Sequence, residues 1–251
     1  MERHLFTTKS NCPNKCQYCF EAFNNYTFPT INYCGVEKFS NCIIYPTCNT
    51  EFLCIKELNA FFEDYISKGE LFNVFSFSTK NGINESDLFW ITEINNKLKA
   101  KKIGEIKISI SLSNKHFIKE IERDTSTYNE RLSLAKTLIQ TGIKTAVIIK
   151  PVLPFIEIEE YKEIINDFSA INICHFVTGN LYFDKNSYFY KEYLKDKGFS
   201  FTTKNIHWIE SHPTWFQIDS YNMIKELSEY INSLNRYHYN SDKELVEDMF
   251  K

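Results

Sequence analysis

Glycine, proline and long apolar stretches are scarce in this sequence. Its 251 residues include seven glycines and six prolines, which excludes collagen-like, linker-rich and low-complexity chains. The mean hydropathy is −0.35 and no apolar run approaches about 18 residues, so no membrane span is predicted. The start of the chain, MERHLFTTKSNC, lacks the apolar stretch of a secretion signal, and we therefore expect a cytoplasmic protein.

An excess of positive charge is also missing. The formal net charge of −3 offers no general attraction for phosphate backbones, so the composition does not favour nucleic acid as a partner. A hydrophobic fraction of 43% is enough for one substantial core. We expect a single domain over residues 1–251, with a barrel core over about 4–180, a cysteine-rich insertion over 24–54 and a variable part over 181–251.

What the sequence does contain is a regular alternation of short apolar runs and amphipathic segments. Strands are predicted at 4–8, 71–78, 106–113, 145–152 and 172–177. Helices are predicted at 52–68, 86–102, 127–140, 157–168 and 220–235. Strands separated by helices need crossover connections and therefore form a parallel sheet. The pattern predicts an α/β fold, a partial (β/α)6 TIM-like barrel with its chemistry at the carboxyl ends of the strands.

Three of the eight cysteines form a compact motif. Cys12, Cys16 and Cys19 have CxxxCxxC spacing and follow the first predicted strand. In a reducing compartment, clustered thiols hold metal more often than they form disulfides. Three thiolates on a tight loop can hold three irons of a 4Fe-4S cluster and leave the fourth open to another ligand. The alternatives are a zinc knuckle, which would need a fourth protein ligand, and unligated thiols.

At this triplet, including Tyr18 before its last cysteine, the sequence resembles the radical S-adenosylmethionine (radical SAM) superfamily. Further segments are similar to spore photoproduct lyase-like members. They are FSFSTKN at 75–81, the stretch from ISISLS to QTGI at 108–143, and VIIKPVLP at 147–154. The resemblance covers about residues 4–160, and nothing beyond about 180 is recognised.

The resemblance implies a function for the triplet. Cys12, Cys16 and Cys19 would bind the 4Fe-4S cluster and act as the catalytic centre, with S-adenosylmethionine chelating the open iron. An electron from a donor such as flavodoxin or ferredoxin would cleave S-adenosylmethionine to methionine and a 5′-deoxyadenosyl radical. That radical would take a hydrogen atom from the substrate, while the protein orients the cofactors and excludes water.

The same resemblance suggests residues that bind the cofactors, and each has an ordinary alternative. Ser109 and Ser111 share one face of a strand and could be small filler in a barrel. Lys80 ends a strand, where it could hold the methionyl carboxylate or be an exposed loop lysine. Arg131 lies in a first helical turn, an unfavourable place for a cation, and could pair with Glu122 or Glu130. The cofactor-binding set comprises Tyr18, Ser78, Lys80, Ser109, Ser111 and Arg131.

A second group of four cysteines lies inside the predicted insertion, within a stretch of twenty-one residues. It comprises Cys34, Cys42, Cys48 and Cys54. The density suggests a second iron-sulfur cluster or a zinc site, although the spacing follows no standard paired motif. The alternative is a set of ordinary core thiols.

Three functions remain open from the sequence. The first is a radical SAM enzyme that abstracts hydrogen from a peptide or small molecule. The second is a nucleic-acid lyase or repair enzyme of the spore photoproduct lyase type, which aromatic residues over 181–216 would support by stacking on bases. The third, of another class, is a non-catalytic iron-sulfur or zinc binding protein.

Overall fold

A computed structural model of the chain describes residues 1–6, 12–19, 35–48, 51, 55–204 and 215–251. Seven parallel strands form the main sheet. They are β1 Glu2–Leu5, β3 Cys42–Tyr45, β4 Asn73–Thr79, β5 Gly104–Leu112, β7 Lys144–Ile149, β8 His175–Thr178 and β12 Tyr237–Tyr239. Their order across the sheet is β1-β3-β4-β5-β7-β8-β12, and every neighbouring pair is parallel. The predicted α/β partial barrel is confirmed.

Helices connect successive strands of this sheet or follow them. They are α1 Ile55–Lys68, α2 Glu85–Lys101, α3 Ile118–Ile121, α4 Tyr128–Gln140, α5 Ile158–Ala170, α6 Tyr221–Ser233 and α7 Asp242–Met249. The side chain of Asn84 caps α2 by accepting from the Asp87 N–H. A reciprocal capping box between Thr127 and Glu130 begins α4, as the sequence predicts. Both caps place the helix start immediately after a strand-end loop.

Strand β5 shows how the sequence divides the two faces of the sheet. Ile106, Ile108 and Ile110 are fully buried on the outer face of the sheet, in the core between the sheet and the helices. Lys107 and Ser109 alternate with them and therefore face the opposite, inner side. Because the sheet curves into half a barrel, this inner face is where polar strand residues can meet.

A smaller apolar cluster lies on the inner face, and the C-terminal helix α7 contributes to it. Ile43, Val74 and Val177 pack there with Leu245 and Val246 of α7. The Met1 amino group also forms an ion pair with Glu247 of α7. Since Met1 precedes β1, α7 covers the inner face toward the amino ends of the strands. This leaves the carboxyl ends for the site described below.

Two strands of the main sheet lie where the sequence predicts irregular or variable structure. Cys42–Tyr45 falls inside the predicted insertion 24–54, and Tyr237–Tyr239 falls inside the predicted variable part 181–251. These segments are only four and three residues long, too short to show the two-residue periodicity of a strand. Pairing with neighbouring strands, a tertiary interaction, defines them. The sheet therefore has seven strands.

The part of the chain beyond β8 also forms a small antiparallel sheet. Its strands are β9 Tyr182–Phe183, β10 Phe201–Lys204 and β11 Trp215–Ile218. The rings of Phe183, Phe201 and Phe216 pack together, and the Lys185 Nζ lies 4.2 Å from the centroid of Phe216. Among the described residues, no helix is both long and apolar enough to span a bilayer.

Candidate cofactor site

The three cysteines of the CxxxCxxC motif lie on one short loop near the carboxyl end of β1. Cys16 is buried, whereas Cys12 and Cys19 are half-buried. The Cys19 N–H donates to the Cys16 carbonyl at 3.0 Å, which folds the loop back on itself. Burial raises the pKa of the Cys16 thiol to about 12, and the nearby thiols of Cys12 and Cys19 act in the same direction against the Lys80 ammonium. Three thiols of this kind are the donor set that an iron-sulfur cluster with one open iron requires.

A two-residue strand fixes this loop to the neighbouring part of the site. Lys15–Cys16 forms β2, which pairs antiparallel with β6, Glu122–Arg123. The Gln17 N–H donates to the Ile121 carbonyl at 2.8 Å, and its side-chain amide donates to the Glu120 carbonyl at 2.9 Å. The cysteine loop is therefore held directly against Glu122.

Glu122 is the centre of a group of polar residues that we call the strand-end cluster, comprising Tyr18, Lys80, Ser111, Glu122 and Arg131. One carboxylate oxygen of Glu122 accepts from the Lys80 ammonium at 2.8 Å and from the Tyr18 hydroxyl. The other accepts from the Arg131 guanidinium. Burial alone would raise the pKa of Glu122, but the Lys80 and Arg131 charges outweigh it and hold the pKa at about 2.

Arg131 shows which of its two predicted ion pairs forms. It pairs with Glu122, while Glu130 belongs to the capping box with Thr127. The guanidinium also donates to the Ser111 carbonyl at 2.9 Å, to the Ser126 carbonyl and to the Thr125 hydroxyl. Arg131 is fully buried, so its side chain connects strand-end segments and is not open to a ligand.

The serines predicted to bind cofactors lie on the inner face of the sheet. The Ser111 hydroxyl accepts from the Lys80 Nζ at 3.0 Å. Ser78 and Ser109 are register partners on β4 and β5. Ser78 is exposed, whereas the Ser109 hydroxyl is buried and has no hydrogen-bond partner. An unpartnered buried hydroxyl is unfavourable, and a ligand over this face would satisfy it.

Glu51 is a site residue that sequence reasoning missed. Its buried carboxylate accepts from the Asn14 side chain at 2.8 Å, from the Thr79 hydroxyl at 2.6 Å and from the Lys80 N–H at 2.9 Å. Burial raises the pKa of this carboxyl group. Glu51 thus ties the cysteine loop to the end of β4. A single carboxylate in an irregular segment carries no pattern by which it could have been found.

Of the second group of cysteines, the structure describes Cys42 and Cys48, and it does not bring these two together. Cys42 begins β3 beside Glu2, whereas Cys48 lies past the other end of β3, where its N–H donates to the Phe6 carbonyl. Phe6 is four residue steps beyond Glu2, about 13 Å of extended chain, so one metal ion cannot bind both thiols. Ligand atoms of Glu2, His4 and Cys42 lie within 4.8 Å of one another instead. Cys34 and Cys54 lie outside the described residues.

A cavity of about 310 Å³ adjoins the cysteine loop on the side of the small antiparallel sheet. Its lining includes Tyr18 and Cys19 of the loop together with Phe189 and Trp215, and the rings of Tyr18 and Phe189 meet edge to face at 6.1 Å. Asp184 adds a polar group to its lining. The aromatic segment beyond 180 therefore closes over the cysteine loop.

Comparisons with known proteins point to one family. The family model described as spore photoproduct lyase matches residues 71–197, about half of the chain. A search of curated proteins by sequence gives no match.

Solved structures share the fold at low sequence identity. A cysteine-to-serine variant of spore photoproduct lyase has a TM-score of 0.65 at 14% identity, over 94% of this chain and 76% of that one. A double variant of that enzyme with bound AdoMet and dinucleoside spore photoproduct has a TM-score of 0.64 at 14% identity, with the same coverage. Streptococcus suis SuiB bound to S-adenosylmethionine has a TM-score of 0.56 at 15% identity, over 96% of this chain and 50% of that one.

Proposed function

Because this chain belongs to the spore photoproduct lyase family and is a radical SAM enzyme, we propose that Cys12, Cys16 and Cys19 bind a 4Fe-4S cluster next to a site for S-adenosylmethionine. When bound, these groups supply a 5′-deoxyadenosyl radical that takes a hydrogen atom from the substrate. The family consists of enzymes, which excludes the non-catalytic alternative.

The observation that carries this proposal is the attachment of the cysteine loop to the strand-end cluster. Cys16 lies opposite Glu122 in the β2–β6 pair, and Tyr18 donates to the same carboxylate. These contacts fix the loop that carries the three thiols at the carboxyl ends of parallel strands, where ligands bind in barrels of this kind. Glu122 acts as the common anchor of the loop and the strands.

Lys80 is the residue that we assign to the methionyl carboxylate. An ammonium has three N–H donors, and two of them serve Glu122 and Ser111. The third donor is left for a ligand at the end of β4. The Lys80 side chain is 14% exposed, so a carboxylate can reach it.

Arg131 is better assigned to positioning than to direct cofactor binding. Four of its five N–H groups are engaged by Ser111, Glu122, Thr125 and Ser126. Ser78, Ser109 and Ser111 line the inner face beside Lys80, and we propose that they contact the cofactor. Tyr18 orients the loop through Glu122.

We assign the hydrogen abstraction to a peptide or small-molecule substrate, with an electron donor of the flavodoxin or ferredoxin type. The net charge of −3 supports this choice because it gives no general attraction for a nucleic-acid backbone. The second candidate is a nucleic-acid lesion. Its support is the family match, together with the similar structure of spore photoproduct lyase complexed with dinucleoside spore photoproduct.

The test uses anaerobically reconstituted protein. We expect about four irons per chain and release of 5′-deoxyadenosine when the protein is reduced with S-adenosylmethionine present. Replacing Cys12, Cys16 and Cys19 together by Ala should abolish both. Cys174→Ser is the matched control, because Cys174 immediately precedes β8, away from the loop, and this variant should keep iron content and activity. Reductive cleavage by the triple variant would show that the assignment is wrong.

A further inference from the structure

Three side chains with different donor atoms meet where β1 and β3 pair at the edge of the main sheet. Glu2 and His4 are two residues apart on β1 and therefore share a face, and Cys42 is the register partner of Glu2 on β3. Ile44, two residues beyond Cys42, packs in the outer core. The three side chains consequently lie on the outer face of the sheet, opposite the face that carries the cofactor site.

The donor atoms of these side chains are close enough for one metal ion. Ligand atoms of Glu2, His4 and Cys42 lie within 4.8 Å of one another, and the His4 Nε2 lies 3.9 Å from the Glu2 Oε1. The bond lengths of a tetrahedral zinc site correspond to donor separations of about 3.3–3.8 Å, so binding one ion needs shifts of about 1 Å or less. The Glu2 side chain is 77% exposed and can move by this amount without disturbing the core.

One buried side chain supports the other two donors. The Asn73 side-chain oxygen accepts from the Cys42 N–H at 2.9 Å, and its amide donates to the Phe39 carbonyl at 2.6 Å. The Phe39 ring stacks on the His4 imidazole with ring centroids 3.9 Å apart. Asn73 therefore positions Cys42 directly and His4 through Phe39, and support of this kind around the ligands is typical of metal sites.

The same donor atoms have few competing partners. Over the described part of the chain, the ring nitrogens of His4 form no hydrogen bond, and the contact with Glu2 is the one ion pair of either side chain. The buried Cys42 thiol donates to the Ser40 carbonyl, with the sulfur 3.2 Å from that oxygen. When a metal ion binds, this proton passes to solvent and a thiolate remains as the ligand.

We propose that Glu2, His4 and Cys42 bind one Zn²⁺ ion, with a water molecule in the fourth position. Thiolate, imidazole and carboxylate are all zinc ligands, whereas Mg²⁺ and Ca²⁺ select oxygen donors. The ion joins the edge strand β1 to β3 immediately before the chain continues into the cysteine loop. It is a structural site outside the cofactor site, and it does not depend on the function proposed above.

The experiment measures zinc in the reconstituted protein. Protein that retains about four irons per chain is equilibrated with Zn²⁺ in excess Mg²⁺ and desalted, and its zinc is measured by elemental analysis and by X-ray absorption at the zinc edge, which iron does not obscure. We expect one zinc per chain, with one zinc–sulfur distance of about 2.3 Å and nitrogen and oxygen ligands at about 2.0–2.2 Å.

Variants assign the zinc to these residues. Cys42→Ser should remove the zinc–sulfur signal, and Cys42→Ser and His4→Ala should each weaken zinc binding about tenfold or more in competition with a chelator. Glu2→Gln should also weaken it, and this exposed substitution leaves the core unchanged. The matched control is His116→Ala. His116 Nε2 lies 3.9 Å from Glu163 Oε2, the same separation as in the His4–Glu2 pair, but no described thiol completes a three-donor group there.

Three results would overturn the proposal. The first is no stoichiometric zinc in protein with four irons, including zinc that binds only when iron is missing and therefore occupies the cysteine triplet. The second is an unchanged zinc–sulfur signal in Cys42→Ser, and the third is an equal loss of zinc in His116→Ala. Circular dichroism separates lost binding from lost folding, and Glu2→Gln keeps the test decisive if a core variant unfolds. Release of 5′-deoxyadenosine reports on the radical SAM function separately.

Discussion

Two buried carboxylates lie on the inner side of this half-barrel, and they differ in the number of cations that contact them. Glu122 at the strand ends contacts two cations, Lys80 and Arg131, and both are satisfied. Asp242 belongs to a second group, with Tyr45, Ser76 and Lys107, that we call the floor cluster, and it contacts one cation, Lys107. The strand-end carboxylate therefore serves two cations, and the floor carboxylate serves one.

The two clusters also come from different parts of the chain. Lys80, Glu122 and Arg131 fall within residues 71–197, which the family model matches. Tyr18 of the same cluster and Tyr45 and Asp242 of the floor cluster lie outside that range, whereas Ser76 and Lys107 lie within it. The charged residues of the strand-end cluster therefore all belong to the part that the family model matches, while the floor cluster draws on both parts of the chain.

The largest expected effect is the loss of the Glu122 charge. Glu122→Gln leaves the fully buried Arg131 and the partly buried Lys80 without a counterion, and we expect the free energy of unfolding to fall by about 3–5 kcal/mol. Urea denaturation of the reconstituted protein measures it. The matched control is Glu163→Gln, which removes an exposed partner of Lys115 and should cost less than about 1 kcal/mol. Equal losses in the two variants would show that the strand-end cluster does not depend on Glu122.

The next prediction concerns S-adenosylmethionine, whose carboxylate we assign to Lys80 of the strand-end cluster. Lys80→Ala removes the proposed partner of the methionyl carboxylate, so we expect S-adenosylmethionine binding to weaken by about 1–3 kcal/mol with normal iron content. Isothermal titration under anaerobic conditions measures the affinity. Lys107→Met is the control, because Lys107 is buried in the floor cluster. Unchanged affinity in Lys80→Ala would leave Lys80 as a structural partner of Glu122 alone.

How far the sequence anticipates these clusters depends on whether a residue belongs to a pattern. The serine alternation of β5 and the capping box at Thr127 are local, and each predicts its structure correctly. The cysteine spacing is local too, and the cluster that it suggests stays a prediction. Lys80 and Arg131 were singled out by their positions at a strand end and in a helix's first turn. The structure brings both to Glu122.

The residues that the sequence could not predict are isolated carboxylates and very short strands. Glu51 and Asp242 have no partner at a characteristic spacing, and their roles arise from contacts with residues at least 28 positions away. Cys42–Tyr45 has too few residues to reveal alternation, so its placement in the sheet depends on pairing. The same strand separates Cys42 from Cys48, two members of the second cysteine group.

A third prediction uses pH to test the contribution of the Glu122 charge to the strand-end cluster. The pKa of Glu122 is held at about 2, below its ordinary value of 4.5, so its stabilisation is complete above pH 4.5 and is lost as the pH falls toward 2. The difference in unfolding free energy between the unsubstituted protein and Glu122→Gln should therefore shrink by about 2 kcal/mol between pH 6 and pH 3. A difference that stays constant over this interval would contradict the depressed pKa.

The smallest effect is expected where the floor cluster loses both charges at once. Asp242→Asn alone should destabilise the protein by about 3 kcal/mol, because it leaves the fully buried Lys107 unpaired. Adding Lys107→Met removes that unpaired charge, while the Asn side-chain oxygen still accepts from Tyr45 and Ser76. We therefore expect the double variant to lie within about 1 kcal/mol of the unsubstituted protein in urea denaturation.

The corresponding double variant of the strand-end cluster, Lys80→Met with Glu122→Gln, should not recover in the same way. Arg131 is fully buried and would still lack its counterion, whereas the floor double variant leaves no cation that contacted Asp242. Recovery at the floor with persistent loss at the strand ends would establish that the floor carboxylate serves one cation and the strand-end carboxylate serves two. Equal recovery in both pairs would show that the contrast between the strand-end and floor clusters has no energetic basis.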